Sequence, residues 1–177
     1  YNVSIKCNDG APPTLLNHTA LCAKCCETER LKKYVPTLTR IIYDLNYKRK
    51  EGIYKEDIRY TDMKLDENEI NTIINITSYF TFEGTGSKES KCPANSVLVV
   101  GNSYNVTETS KFTDCETHEM KLDYIKNILP FLRFSLRSGK GMPTKKEQLE
   151  KCNPWIYEHI DKKGNTKLCG ALHIRYI

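Results

Sequence analysis

Tryptophan and methionine are scarce in this sequence, with one Trp and three Met among 177 residues, and long apolar runs are missing. No stretch approaches the roughly 20 apolar residues that a membrane-spanning helix needs, so no membrane span is expected. No apolar leader opens the chain either, and the expectation is a mature protein from which a signal peptide has been removed. No basic run of five or more residues occurs either. Lys32, Lys33, Lys48, Arg49, Lys50, Lys145, Lys146, Lys162 and Lys163 are dispersed among acidic residues, although the net charge is +5. That pattern reads as a solvated basic face, giving weak glycosaminoglycan attraction at most and no nucleic-acid site.

Enzyme signatures are also lacking. There is no Gly-x-Ser-x-Gly elbow, phosphate loop, dinucleotide fingerprint or ordered calcium loop, so no cofactor and no metal are expected. Cys22-Ala-Lys-Cys25 has the internal spacing of a zinc knuckle, but no second Cys or His pair completes four ligands. His118-Glu119 begins like a zinc-protease motif, yet Leu122 stands where the second histidine belongs. His159 and His173 fall on opposite arms of an expected hairpin. There residue 159 lies near 167 and residue 173 near 153, too far apart for an acid–base pair.

Cysteine, by contrast, is abundant. Cys7, Cys22, Cys25, Cys26, Cys92, Cys115, Cys152 and Cys169 make an even set of eight. Such a set predicts four disulfides in an oxidising compartment, with 105 pairings open. Sequons stand at Asn2, Asn17, Asn75 and Asn105, about twice the number that composition alone would place, and they point to the same compartment. Hydrophobic content of 39% and charged content of 28% are ordinary for a globular domain, so a single disulfide-rich extracellular domain over residues 1–177 is expected.

Along the chain, residues 1–20 read as irregular because Gly10, Pro12 and Pro13 break any pattern. Leu31, Val35, Leu38, Ile42 and Leu45 recur at helical spacing, predicting a helical stretch over about 21–50 that either kinks at Pro36 or consists of two helices meeting there, and that stops at Gly52. Ile74, Ile76, Ser78, Phe80 and Phe82 alternate with polar residues and predict a half-buried strand carrying Asn75 on its wet face. Ser96–Val100 predicts a strand, Gly101-Asn102 a two-residue turn, and 103–109 the return strand. A capping-box spacing at Thr113 and Glu116 predicts a second helix over about 115–138, with Leu122, Ile125, Leu129, Leu132 and Leu136 inside and Pro130 as a bend. Residues 155–160 and 166–176 predict a C-terminal hairpin. The fold class expected is α+β, with one antiparallel sheet of five or six strands against two main helices, stapled by disulfides.

The segment Val97-Leu98-Val99-Val100-Gly101-Asn102-Ser103-Tyr104 resembles the central hairpin of cystatins. The resemblance implies a hairpin tip at Gly101, Asn102 and Tyr104 that enters a cysteine-protease cleft, with Pro154-Trp155 as the second loop. It covers eight residues. The family's glutamine position holds Ser96 or Val97, an extra helix precedes Trp155, and the cysteine pattern differs. The preferred reading is therefore a secreted, non-enzymatic glycoprotein that binds, and by extension antagonises, an extracellular protein. Its 11 tyrosines suit a wet, specific interface. The alternatives are a cystatin-like inhibitor acting through 97–104 and a small secreted hydrolase using His118, His159 or His173.

Overall fold

The structure, a computed structural model, describes residues 2–7, 14–17, 29–55, 57–84, 89–100, 111–138, 156–160 and 163–176. Among the described residues, two small sheets and four helices share one apolar core. The first sheet holds β1 (Val3–Cys7), β4 (Ser96–Val100) and β5 (Lys111–Asp114) in the order β1-β4-β5. The second is organised on the long strand β8 (Thr166–Tyr176). β6 (Leu132–Ser138) pairs with one edge of β8, and β3 (Asp57–Arg59) extends the sheet beyond β6. The other edge of β8 is shared by β2 (Thr14–Asn17) toward its end and β7 (Ile156–Ile160) toward its start. The helices are α1 (Glu29–Lys32), α2 (Val35–Lys50), α3 (Glu67–Ser78) and α4 (His118–Ile128).

This architecture corrects the expected single antiparallel sheet against two helices. The described residues form two sheets, and β1 runs parallel to β4, with Val3 opposite Ser96 and Cys7 opposite Val100. Residues 3–7 and 14–17, expected to be irregular, are strands. The expected disulfide stapling is corrected too. Among the described residues Cys92 and Cys115 are free thiols, the first exposed and the second buried. Cys22, Cys25, Cys26 and Cys152 lie outside the described residues, and only the backbone of Cys7 and Cys169 is described.

Pro36 divides the first helical stretch. It occupies the first turn of α2, where its missing N–H costs nothing, and α1 ends a turn earlier. Leu31, Leu38, Ile42 and Leu45 of the expected stripe are buried, with Val35 half-buried. At the far end Gly52 takes φ +72°. Its N–H reaches the Arg49 carbonyl and the Ile53 N–H reaches the Lys48 carbonyl, the paired bonds of a Schellman cap.

The segment read as a strand through Phe82 is a helix. Asp66 Oδ1 accepts from the Glu69 N–H, and Glu69 Oε2 accepts from the Asp66 N–H, closing a capping box that starts α3. Thr72, Ile73, Ile74, Ile76, Thr77 and Ser78 are all buried, because α2 covers one side of this helix and α4 another. A helix wetted on so little of its circumference shows no clear 3.6 period, and its β-branched run imitates alternation. Past Ser78 the backbone widens into a π-turn over Tyr79–Glu83, with the Gly84 N–H donating to the Tyr79 carbonyl.

The second long helix is also shorter than expected. Thr117, not Thr113, caps α4 by accepting from the Met120 N–H, and Pro130 ends the helical run through a 3₁₀ turn at Leu129–Phe131. Beyond it the chain becomes β6, whose Leu132 and Phe134 are fully buried. The C-terminal hairpin is present as expected, with Ile160 opposite Thr166 and Gly164 at φ +80°. Ion pairs bind the layers at their rims. Arg40 of α2 reaches both carboxylates of the α3 cap at 3.2 Å, and Asp57 of β3 accepts from Ser135 and Arg133 of β6.

Candidate functional site

Two features of the surface stand out. The first is the outer face of the three-stranded sheet. Side chains alternate along a strand, and register partners point to the same side. Val97 and Val99 point inward and are buried. Ile5, Leu98 and Phe112 are register partners on the opposite side, forming a row across all three strands. Ile5 is 65% exposed, Phe112 51% and Val3 39%, while Leu98 and Val100 are half-buried. Fold stability gains nothing from large apolar side chains left in water, and a contiguous group of them marks a contact surface.

Asn2 borders this face. Its N–H donates to Asn95 Oδ1 at 2.9 Å, its carbonyl accepts from the Asn95 N–H at 2.9 Å, and its side-chain amide donates to the Pro93 carbonyl at 3.3 Å. This exposed sequon is therefore held at the start of β1.

The second feature is a cleft of about 240 Å³ among α1, the end of α3, the π-turn and the start of α4. Glu83 lies at its base, with a side chain only 10% exposed. Arg30 pairs with one carboxylate oxygen and Lys121 stands 3.7 Å from the other. Each cation near the cleft rests on an aromatic ring, Arg30 over Tyr79 at 6.0 Å, Lys33 over Tyr34 at 4.9 Å and Lys121 over Phe82 at 5.7 Å. Ser78 also lines the cleft, and its buried Oγ has no hydrogen-bond partner among the described residues.

The residues singled out from sequence fare unevenly. Gly101, Asn102, Tyr104, Trp155 and the sequon Asn105 lie outside the described residues. The two-residue hairpin would put Ser103 opposite Val100, but the antiparallel partner of β4 is Lys111–Asp114, with Val99 opposite Lys111. Asn17 lies in β2 opposite His173. Asn75 is half-buried on α3 rather than on the wet face of a strand, and its amide donates to the Asn71 carbonyl and side chain, both at 2.9 Å. His159 pairs with Lys167 and His173 with Ser135, so about 20 Å of strand separates the two histidines along β8. His118 lines the cleft mouth. Of the seven tyrosines whose side chains are described, Tyr43 and Tyr47 are exposed, one turn apart on α2.

Sequence reasoning missed the sheet face, because Ile5 lay in a segment read as irregular and Phe112 ten residues beyond the expected turn. It missed the cleft because Arg30, Glu83 and Lys121 are distant in sequence. No helix among the described residues is long and apolar enough to cross a membrane. No protein-family model matches this chain, and no curated protein or solved structure matches it.

Proposed function

We propose that this chain is a secreted glycoprotein that binds an extracellular protein through the outer face of the β1-β4-β5 sheet. The observation that carries the reading is the Ile5–Leu98–Phe112 row, three large apolar side chains aligned across three strands, two of them more than half exposed. An apolar centre with a polar rim is the anatomy of a specific protein interface, and Asp114 and the Asn2–Asn95 clamp supply such a rim. Secretion now rests on the sequons, with Asn2 exposed beside the face. Free thiols at Cys92 and Cys115 remove the support that four bridges would have given.

The test compares wild type with Ile5→Ser/Phe112→Ser as immobilised baits in extracellular fluid. Both positions are exposed, so the variant retains the fold. A protein retained by wild type and lost from the variant supports the reading, and equal retention on both baits overturns it.

A further inference from the structure

The cleft at Glu83 carries a separate inference. Its charged groups do not balance. Arg30, Lys33 and Lys121 supply three positive charges at or around it and Glu83 supplies one negative charge, leaving an excess of two. The cations are held in place, since each stands over an aromatic face and two of them also brace the same carboxylate. Of the three, only Lys121 is buried, where Glu83 matches its charge, while Arg30 (side chain 46% exposed) and Lys33 are accessible to a bound anion. Beside them the Ser78 Oγ, on a residue 2% exposed, is a hydroxyl donor with no partner among the described residues. At about 240 Å³ the cleft is smaller than the roughly 300–1,000 Å³ of sites for drug-sized ligands, and suits one compact ionic group.

From these observations we propose that the cleft binds a tetrahedral dianion, a sulfate or phosphate group, between Arg30 and Lys33 with Ser78 donating from the side. A dianion matches the excess of two charges and has enough acceptor oxygens for several donors at once. Glu83 fixes Arg30 and Lys121 from beneath and sets the total charge, so it is a positioning residue. The site does not depend on the apolar sheet face, which shares no residue with it.

Calorimetric titration of the full chain tests the proposal, using sodium sulfate, sodium phosphate and N-acetylglucosamine 6-sulfate at constant ionic strength. Saturable binding to one site with a dissociation constant of about 1 mM or below is expected for at least one of the three. Lys33 is exposed and unpaired with Glu83, so Lys33→Glu keeps the fold and weakens binding about tenfold or more. Ser78→Ala weakens it about threefold, and Lys50→Ala, on the far end of α2, leaves it unchanged. Tighter binding of the sugar sulfate than of the free anions assigns an ester as the ligand, and equal or weaker binding assigns the free ion. Absence of saturable heat with all three anions, or equal affinity in Lys33→Glu, overturns the proposal.

Discussion

The Lys121 ammonium stands 3.7 Å from the Glu83 carboxylate, with the two side chains only 11% and 10% exposed. Together with Arg30 they make a charged knot that joins α1, the π-turn and α4. Removing one partner of a buried pair strands the other's charge, and the cost of that exceeds the value of the pair itself. Lys121→Ala should destabilise by about 3 kcal/mol, because Arg30 still meets Glu83 and limits the damage. Lys126→Ala, on the exposed side of the same helix, should change stability by less than about 0.5 kcal/mol. Urea unfolding followed by far-UV circular dichroism measures both, and equal midpoints would contradict the account of the knot.

Gly84 ends the π-turn against the Tyr79 ring. A β-carbon placed there collides with ring atoms of a side chain that is itself 2% exposed and cannot swing away. Gly84→Ala should therefore cost about 2 kcal/mol through overpacking. Gly52→Ala meets no neighbour, and its cost of about 1 kcal/mol comes from the left-handed φ alone. Thermal unfolding of the two variants should rank them in that order.

The two described thiols should react at very different rates. Cys92 is exposed, whereas Cys115 is fully buried, and burial, reinforced by Asp114 and opposed by Lys121, pushes its pKa above the ordinary thiol value. The thiolate is the reactive form, so Cys115 is protected twice. Native protein treated with iodoacetamide at pH 8 should be labelled at Cys92 first, with Cys115 labelled only on unfolding. Peptide mass spectrometry over time reads this directly.

Lys6 points from β1 toward the inner side of the sheet, opposite Val99, and burial pushes its pKa below 10.5. Between the lowered folded value and the unfolded 10.5 the unfolded chain holds more protons at this site. Stability contributed by Lys6 therefore rises with pH across that window and is lowest at neutral pH, where the ammonium is charged in both states. Lys6→Met should raise stability at pH 7 by about 1 kcal/mol, and its advantage over wild type should shrink as the pH rises toward 10.5. Denaturant titrations at pH 7 and pH 10 check both statements.

How much of this was legible in the sequence depends on where water touches each element. α2 has one wet and one dry side, so Val35, Leu38, Ile42 and Leu45 announced it, with Pro36 separating it from the Leu31 turn of α1 and Gly52 marking its end. The C-terminal hairpin was equally plain, because Gly164 sits in a short polar turn between two β-rich runs. α3 was misread because burial on most of its circumference erased the helical period, although Asp66 and Glu69 carried the cap that would have revealed it. The switch from α4 into β6 hid behind Leu129 and Leu132, whose spacing of three fits a helix, while Pro130 between them was read as a bend instead of an end. The parallel pairing of β1 with β4 joins residues about ninety positions apart, and no local pattern encodes such a contact. The sheet face depends on that pairing and was illegible for the same reason.

The contact assigned to the sheet face is tested most directly by amide hydrogen exchange on the chain with and without the protein it retains. Slower exchange is predicted at residues 3–7 and 111–114, the two outer strands of the β1-β4-β5 sheet, with little change along α2. Slowing confined to α2 around Tyr43 and Tyr47, with β1 and β5 exchanging as in the free chain, would contradict it.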